Sequence, residues 1–447
     1  VTASRACCAC CCAGRRSPAK ERVRFDSVAA WLEWQQVAHP RAVDPGLERV
    51  GVVFRRLGLA RPLTVLTIGG TNGKGSVAAY LDAMLAAAGY DCGLFTSPHF
   101  IRYHERIHIR GQQITDDLLL TAFDRIDAAR GEVSLSFFEW NALAAFVAFA
   151  HERVDAAVLE VGMGGRLDAV NLFDADVAAV VSVGLDHREW LGDTVEQIGI
   201  EKAGIFRPER PAIFGSRIMP QSVGRIASGC GARLRRIGVD FDFVERPDGW
   251  DYLGLGSRRR ELPLPALAGS MQLANAATAL AVLEAAEPGI LVPDEAVRAG
   301  LARVRLPGRF QIVSRDREWI LDVAHNPDAA RALATSLAAR QTRGRTFAVC
   351  GILADKDIDG IVSALRGQVQ EWIAVRLDGP RSLPESELAT RIAMRTGASV
   401  SVADSVAAGC EYAAAACGEG DRILVFSSFH TVGPSRVHLG LQFDRNG

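Results

Sequence analysis

The stretch PLTVLTIGGTNGKGSVAAYLDAMLAAAG, residues 62–89, decides the fold of this chain. Its first part, Pro62 to Ile68, is an apolar run that predicts a buried β-strand. Val77 to Ala88 is an alanine-rich segment that predicts a helix ended by Gly89. Between them lies the glycine-rich turn GGTNGKGS, residues 69–76. A strand, a glycine-rich turn and a helix in this order predict a phosphate-binding loop at the edge of a parallel sheet.

The residues of this turn suit a nucleotide phosphate. Glycines let backbone N–H groups point at phosphate oxygens, the helix N-terminus adds a favourable potential, and Lys74 supplies a positive charge. Gly75 separates Lys74 from Ser76, so the strict ending of a common phosphate loop is absent. The alternative is a glycine-rich turn without a ligand. The residues predicted to contact the nucleotide phosphates here, those of ATP if the resemblance described below holds, are Thr71, Asn72, Gly73, Lys74, Gly75 and Ser76.

Length and composition indicate a globular enzyme of two domains. The 447 residues exceed one ordinary core, and 49% hydrophobic with 23% charged residues leaves little room for extended disorder. The 51 basic residues balance 52 acidic ones, which removes a general electrostatic reason to bind nucleic acid or a membrane surface. No stretch reaches the roughly 18 uninterrupted apolar residues of a spanning helix. We expect a monomer with small-molecule partners, no nucleic acid and no membrane.

The cysteines do not form the pattern of a secreted disulfide protein. Five of the ten crowd into the first twelve residues, and the others are scattered singly. Residues 1–20 have no apolar periodicity, which predicts a disordered cysteine-rich tail; a metal site in this tail is the alternative. The cysteine pattern fits a reducing compartment, so we expect a cytoplasmic protein.

Strand-like and helix-like segments alternate from about residue 62 onward, which is typical of an α/β protein with a largely parallel sheet. An irregular stretch, residues 227–265, predicts a β-rich excursion before a helix from Met271 to Ala286. A second α/β pattern follows the turn Pro307-Gly308. The further predicted strands are Ala156–Val161, Val177–Val183, Arg210–Phe214, Trp319–Val323, Thr346–Cys350, Trp372–Val375 and Arg422–Phe426. We therefore predict a nucleotide-binding domain over residues 21–306 and a smaller α/β domain over residues 307–447.

Two polar residues follow strands of the first predicted sheet. Glu160 ends an apolar strand before a glycine-rich loop, and His187 follows another strand. Because the carboxyl ends of parallel strands meet at one ligand-binding edge, both could share a site with Ser76. The alternatives are a structural histidine and a glutamate that caps a neighbouring element.

The loop GTNGKGS with its inserted glycine resembles the phosphate loop of folylpolyglutamate and dihydrofolate synthases, which belong to the Mur ligase superfamily. The resemblance continues in order along the chain from about residue 25 to 435. Its segments are TSPH (96–99), ERI (105–107), LEVGMGGRLDA (159–169), DH (186–187), LG (191–192), EKAGI (201–205), PGRF (307–310), DVAHNP (322–327), DKD (355–357) and SFHT (428–431).

The resemblance implies a P-loop ATPase domain of the Mur ligase type with a mostly parallel sheet, followed by a smaller Rossmann-like α/β domain. It also implies an activity: ATP-dependent ligation of L-glutamate to dihydropteroate, to the γ-carboxylate of folates, or to both, through an acyl phosphate. The two alternatives are a UDP-muramoyl-peptide amino acid ligase and a nucleotide-binding protein without turnover.

The metal site and the catalytic residues are implied by the same resemblance. Two Mg²⁺ ions would be bound by Ser97, Glu160, His187 and a CO₂-derived carbamate on Lys202. Mg²⁺ prefers oxygen donors, and a carbamate turns a cationic side chain into one. The alternative for Lys202 is an ordinary helical lysine paired with a carboxylate. The implied catalytic residues are Lys74, Glu160, His187 and Lys202.

The substrate contacts also come from the resemblance. Asn275, Arg309 and Asp322 would contact ATP, although they could instead cap a helix, carry a solvated charge and end a strand. His325 and Asn326 would orient glutamate. The aromatic pair Phe137-Phe138 suits a flat pterin but is equally typical of a core. The predicted pterin contacts are Val37, Ala38, His39, Pro40, Ser136, Phe137, Phe138, Glu139, Leu167, Asp168 and Ala169.

Overall fold

The computed structural model describes residues 24–379 and 381–441. The predicted tail, residues 1–20, lies outside the described residues. The chain forms two α/β units, each a sheet with helices on its faces and each called a layer below; one is built on an eight-stranded sheet and the other on a six-stranded sheet. A small three-stranded sheet lies between them in sequence. The predicted α/β fold class with two sheets is confirmed, while the boundary at residue 306 stays a prediction.

The larger sheet has the strand order β4-β3-β2-β5-β1-β6-β7-β8, in which the six strands from β2 to β8 in that order run parallel. Strands β3 and β4 extend one edge in antiparallel fashion. The bounds are β1 Thr64–Gly69, β2 Cys92–Phe95, β3 Ile107–Ile109, β4 Gln112–Gln113, β5 Ala156–Glu160, β6 Val177–Val180, β7 Pro211–Phe214 and β8 Arg233–Arg236.

Helices cover both faces of this sheet, which explains why every residue of β1 is buried. Val65 packs into one hydrophobic cluster with Trp31 and Trp140, whereas Leu66 packs into the opposite cluster with Tyr80. The helices are α1 Val28–Val37, α2 Glu48–Leu57, α3 Lys74–Ala87, α4 Asp116–Arg130, α5 Phe137–Glu152, α6 Arg188–Leu191, α7 Val195–Ala203, α8 Gln221–Cys230, α9 Gln272–Ala285 and α10 Asp294–Arg303.

The stretch 227–265 contains the predicted β-rich excursion, with one addition. Its strands β9 Asp242–Arg246, β10 Gly249–Leu253 and β11 Arg258–Leu262 form the small antiparallel sheet. Strand β8, however, pairs with β7 and extends the large sheet. Its sequence, RLRR, is too polar to indicate a sheet strand from composition.

The second sheet has the order β12-β13-β17-β14-β15-β16, with β12 antiparallel to the rest. Two hydrophobic clusters fill its two faces. The strands are β12 Gln311–Ser314, β13 Glu318–Asp322, β14 Thr346–Cys350, β15 Glu371–Val375, β16 Val400–Ala403 and β17 Arg422–Phe426. The helices are α11 Pro327–Ala339, α12 Ile358–Leu365, α13 Glu385–Thr396, α14 Val406–Ala416 and α15 Phe429–His438.

Within the part of the chain that the structure describes, none of the helices combines the length and the apolar character needed to cross a bilayer.

Candidate active site

The candidate site lies where four neighbouring parallel strands end. In the sheet order β2-β5-β1-β6, these strands lead into Ser97, Glu160, the loop 69–76 and the segment 181–187 respectively. The carboxyl ends of parallel strands form the ligand-binding edge of such sheets. The fold thus brings the predicted phosphate loop and three of the predicted metal ligands to one edge.

The glycine-rich loop is held against the segment after β6. The Asn72 backbone N–H donates to Ser182 Oγ at 2.9 Å, and Ser182 Oγ donates back to the Asn72 carbonyl at 2.9 Å. Lys74 begins α3, and its ammonium donates to the carbonyl oxygen of Gly70 at 3.1 Å. The predicted helix start at Val77 was wrong by three residues because the lysine and serine of the loop already form the first helical turn. The loop therefore places Lys74 and the helix N-terminus at one point, as a phosphate requires.

Gly73 cannot carry a side chain in this loop. Its φ of +88° lies in the left-handed region, and a Cβ atom would approach Asn275 Oδ1 and Val181 Cγ1 to 2.7 Å. Gly89, at the other end of α3, has nearly the same φ of +86° but open space around it. A side chain at Gly89 would therefore meet backbone strain alone, whereas one at Gly73 would meet both backbone strain and steric conflict.

We expect Gly73→Ala to reduce ATP affinity about tenfold or more, because the loop must move away from Asn275 and Val181 and its N–H groups lose their aim. Gly89→Ala is the matched control: it should lose about 1 kcal/mol of stability through the same backbone strain, without a change in ATP affinity. Titration calorimetry with ATP and thermal unfolding measure the two effects. Equal ATP affinity in both variants would contradict this role of Gly73.

Glu160 is a buried carboxylate whose second oxygen remains available to a ligand. Its Oε2 accepts the Ser97 backbone N–H at 3.1 Å, and within the described residues its Oε1 accepts no hydrogen bond. Burial raises the pKa of Glu160, against the opposing effects of Lys74, the Ser97 N–H and Arg309. A partly satisfied buried carboxylate at a phosphate loop fits a cation ligand, since Mg²⁺ in nucleotide sites is held by one or two carboxylates together with phosphate oxygens.

His187 is the last residue of the segment after β6 and immediately precedes α6, with a φ of +50°. Neighbouring protein atoms desolvate the ring, and this is the main cause that lowers the pKa of His187 to about 4, although the residue as a whole is exposed. The imidazole is therefore neutral at pH 7. A neutral imidazole is the form that can coordinate a metal.

Lys202 is 4% exposed and lies in the last turn of α7. Burial, followed by the nearby positive charge of Lys74, lowers the pKa of Lys202 to about 7. Lys202 takes part in none of the ion pairs formed within residues 24–379 and 381–441, so the alternative of a lysine paired with a carboxylate finds no support. A buried amine that is substantially neutral at pH 7 is able to react with CO₂.

The predicted metal site contains few side chains that can bind a metal ion. No group of three or more His, Cys, Asp or Glu side chains in the described part of the chain is arranged to hold a metal ion. The predicted metal ligands include only two such residues, Glu160 and His187. The other two predicted ligands are the Ser97 hydroxyl and the carbamate on Lys202. This set fits Mg²⁺ only when phosphate oxygens or water supply further ligands, which is the usual way this ion is bound.

The three residues predicted to contact the nucleotide base and ribose surround the loop from α9 and from the second sheet. Asn275 lies in the first turn of α9, is buried, and abuts Gly73; it is not the residue that caps the helix. Arg309 is partly buried rather than a solvated charge. Asp322 does end β13, and it also accepts the N–H groups of Phe310 at 2.7 Å and Ala324 at 2.8 Å.

Arg309 is held by an aromatic stack that crosses between the two sheets. Its guanidinium lies 5.5 Å from the ring centre of Phe429 in α15, and Phe429 packs at 4.5 Å on Phe100, which follows β2. Arg436 lies over the other end of the stack, 5.6 Å from Phe100. The position of Arg309 near the phosphate loop thus depends on contact between the two α/β layers.

The predicted pterin contacts are linked by one chain of polar side chains. His39 contacts Ser134 and Asp44 at 3.0 Å each, and Arg49 joins Asp44 at 2.5 Å to Glu139 at 2.8 Å. Glu139 also closes the capping box of α5 with Ser136. The segments 37–40 and 136–139 are therefore neighbours, but Val37 is 78% exposed.

The third pterin segment, 167–169, adjoins the second through Gly162. A Cβ on Gly162 would meet the Phe138 ring at 2.5 Å and the carboxylate of Asp168 at 3.3 Å. Asp168 accepts N–H groups of Met163 and Val170, and burial raises the pKa of Asp168 to about 6. Phe137 and Phe138 are half-buried against the core, so at least part of each ring has the core role that the sequence analysis gave as the alternative to a pterin contact. Their contact with a pterin stays a prediction.

His325 and Asn326 follow β13 and meet a partner to which the sequence assigned no role. Asp186 Oδ2 lies 3.2 Å from His325 Nε2 and accepts Asn326 Nδ2 at 3.1 Å. Lys356, which follows β14, donates to Asp186 Oδ1 at 2.7 Å. Burial would raise the pKa of Asp186, but the hydrogen bond from His325 and the surrounding positive charge hold it far below its usual value. In the sequence, only the resemblance of the segment DVAHNP gave His325 and Asn326 a role, and it gave none to Asp186.

Lysine is rare in this chain and concentrated in the cleft. Of the 51 basic residues only four are lysines, namely Lys20, Lys74, Lys202 and Lys356, and the remainder are arginines. Lys20 lies outside the described residues. Of the lysines that the structure describes, Lys74 and Lys356 follow strand ends of the two sheets, and Lys202, in α7, lies close enough to Lys74 and Asp186 to feel their charges.

Comparison with known domain families defines the class of the protein. Residues 68–214 match the Mur ligase middle domain, and residues 308–429 match the Mur ligase glutamate ligase domain. The first match covers the phosphate loop, Glu160 and Lys202, and the second covers Arg309, Asp322 and His325. The chain is thus a ligase of the Mur type.

Individual relatives narrow the class. The chain is 43% identical over 406 residues to the dihydrofolate synthase/folylpolyglutamate synthase of Escherichia coli strain K12, which covers 91% of this chain and 94% of that protein. Escherichia coli FolC in complex with DHPP and ADP superposes with a TM-score of 0.89 at 41% identity, over 93% of this chain and 98% of that one. A bifunctional folylpolyglutamate synthase/dihydrofolate synthase with Mn, AMPPNP and L-glutamate bound gives a TM-score of 0.87 at 41% identity, over 94% and 100%. The chain belongs to the dihydrofolate synthase/folylpolyglutamate synthase family.

Proposed function

We propose that this enzyme uses ATP to join L-glutamate to two kinds of acceptor, the carboxylate of dihydropteroate and the γ-carboxylate of folates. The observation that carries the proposal is the cleft between the two sheets. The phosphate loop, Glu160 and Lys202 lie on one side, and Arg309 and the segment after β13 lie on the other. Two hydrogen bonds across the cleft join the loop itself to this segment: the side-chain amides of Asn72 and Asn326 each donate to the other's oxygen at 3.1 Å.

An amide forms from a carboxylate in water only after the acyl group is activated. In the proposed reaction the acceptor carboxylate attacks the γ-phosphorus of ATP, which gives an acyl phosphate and ADP. The amine of L-glutamate then attacks the acyl carbon, and phosphate leaves. Lys74 and the N-terminus of α3 stabilise the charge on the transferred phosphoryl group, so positioning and electrostatics carry most of the catalysis.

The predicted metal ligands fit a divalent cation at this loop. Ser97, Glu160, His187 and a carbamate formed from Lys202 and CO₂ would hold two Mg²⁺ ions. Bound Mg²⁺ supplies charge neutralisation at the phosphates. One related structure contains ADP and another contains AMPPNP with Mn, which supports a nucleotide and a divalent cation here as well.

The remaining substrate contacts follow from position. Asn275, Arg309 and Asp322 surround the phosphate loop and would bind the rest of ATP. The linked segments 37–40, 136–139 and 167–169 would form the pterin site, and the neighbouring strand ends of the second sheet would hold glutamate. A cytoplasmic location and a monomeric state remain predictions.

We expect the purified chain to consume ATP only when both an acceptor and L-glutamate are present, because the acyl phosphate is productive only if an amine attacks it. The assay supplies dihydropteroate, tetrahydrofolate or a UDP-muramoyl peptide in parallel, and the products are resolved by mass spectrometry. Each reaction that lacks one substrate serves as a control.

Amide formation with dihydropteroate and with tetrahydrofolate is the expected result. Product with only one of them would reduce the proposal to a single synthase. Product with the muramoyl peptide alone would contradict the folate assignment, and ATP binding without any turnover would favour the alternative of a nucleotide-binding protein.

A further inference from the structure

The carboxylate of Asp186 accepts polar contacts from three side chains of the opposite layer. Asp186 belongs to the segment after β6 of the large sheet, whereas His325, Asn326 and Lys356 belong to the second sheet. The three donors approach within 3.2, 3.1 and 2.7 Å of its two oxygens. The side chains of Asp186 and Lys356 are only 8% and 10% exposed. The Asn326 side chain also pairs with Asn72 of the phosphate loop, so the Asp186 carboxylate belongs to a larger polar contact between the two layers.

An ammonium, an imidazole and an amide N–H that converge on one carboxylate make a typical carboxylate-binding site. All three donors lie on loops that follow β13 or β14, which is the edge where parallel sheets bind their ligands. Lys356 is, moreover, one of only four lysines in the chain, two of which are the proposed catalytic lysines. These donors therefore form a ligand site of the second sheet, and its occupant in this structure is a side chain of the first.

We propose that Asp186 is an internal substitute for a carboxylate of the incoming L-glutamate, which must displace it from His325, Asn326 and Lys356 in order to bind. Asp186 is in this sense a positioning residue: it keeps the two layers together and the three donors ordered until the substrate takes its place. This inference rests on the proposed function, because that function supplies L-glutamate as the ligand.

If Asp186 and L-glutamate compete for the same donors, substitutions at Asp186 and at Lys356 change the affinity for L-glutamate in opposite directions. A purely structural ion pair does not predict this difference. A ligand that must displace an internal group binds with an affinity reduced by the fraction of protein in which the site is free. Removing the charge of Asp186 frees the site and strengthens glutamate binding. Removing Lys356 takes away a donor to the substrate and weakens it. If the pair were only a structural link, both substitutions would break the same link and change the affinity in the same direction.

The experiment measures L-glutamate binding by titration calorimetry on the full chain with AMPPNP and Mg²⁺ present, so that no turnover occurs. Asp186→Asn should lower the Kd for L-glutamate about three- to tenfold. Lys356→Gln should raise it about tenfold or more, since a charge-assisted hydrogen bond is lost. The Kd for AMPPNP reports whether the phosphate loop is intact and should not change. Asp193→Asn is the matched control, because Asp193 is an exposed acid seven residues further along the chain whose side chain pairs, among the described residues, only with the exposed Arg188.

Opposite shifts in the two variants support the inference, and equal signs, or an unchanged affinity in Asp186→Asn, overturn it. Asp186→Ser is a second variant with the same expected sign, for use if the asparagine protein is unstable. Wild-type protein that binds AMPPNP but no L-glutamate overturns the proposed function together with this inference. Wild-type protein that binds L-glutamate while the variants fail the sign test overturns this inference alone.

Discussion

Lys202→Ala is expected to fold, to bind ATP through the phosphate loop, and to lose about 100-fold or more in turnover. The physical reason is that Glu160 and His187 offer too few donors for two Mg²⁺ ions, and the carbamate would add an anionic oxygen ligand. The pKa of Lys202, lowered to about 7 by burial and by Lys74, leaves much of the amine neutral at neutral pH, and only the neutral amine reacts with CO₂. Initial rates and ATP binding by calorimetry separate chemistry from affinity.

The carbamate can be observed directly because lysines are so few. Protein equilibrated with ¹³C-bicarbonate should show carbamate signals in the carbon NMR spectrum, and Lys202→Ala should remove one of them while any signal from the α-amino group remains. Acetate added to Lys202→Ala should restore part of the turnover by supplying a carboxylate in the vacated space. Arginine cannot form a carbamate, so Lys202→Arg is the control that keeps the positive charge. Near-normal turnover in either variant would make Lys202 a structural residue.

Glu160→Gln is expected to lower turnover on the order of 10²–10³-fold while the protein without metal keeps or gains thermal stability. The amide retains the shape of the side chain and removes the charge that would bind the cation. Burial raises the folded-state pKa of Glu160, so the folded protein binds this proton more tightly than the unfolded chain does. Wild-type stability should therefore fall as pH rises from the ordinary glutamate pKa through the raised one.

The same substitution at Glu201 is the control for Glu160→Gln. Glu201 lies beside Lys202 in α7 and makes an exposed ion pair with Arg166, an interaction that contributes little. Glu201→Gln should keep its activity and show the wild-type dependence of melting temperature on pH, whereas Glu160→Gln should lack the part that this carboxylate causes. A full rate in Glu160→Gln at saturating Mg²⁺ would remove Glu160 from the metal ligands.

Regular elements with a strong local pattern were predictable from the sequence. Strands β14, Thr346–Cys350, and β17, Arg422–Phe426, have the predicted bounds, because central parallel strands are continuous apolar runs. The strand after residue 177 was predicted to reach Val183 but ends at Val180. Its last residues look like strand in composition, yet Ser182 turns away to bind the phosphate loop.

The site was predictable only in part, for a reason of distance along the chain. Glu160 and His187 could be placed at one edge because each follows a strand of the same sheet. The contact of Asp186 with Lys356 joins residues that are 170 positions apart, and no local pattern encodes it. The same holds for the stack of Phe100 on Phe429, which depends on how the two layers meet.

The restriction of lysine to the cleft has a practical consequence for chemical modification. Surface cations of the described residues are arginines, so reagents that acylate primary amines find few targets outside the cleft. Lys74 and Lys356 are partly buried and Lys202 is buried, which makes each of them sensitive to whatever fills the cleft. Apart from Lys20, which lies outside the described residues, the lysines that an amine-directed probe can label lie in the cleft, so labelling resolved by residue reads out ligand occupancy. Lysine-based cross-linking or immobilisation would have little to react with on the rest of the described surface.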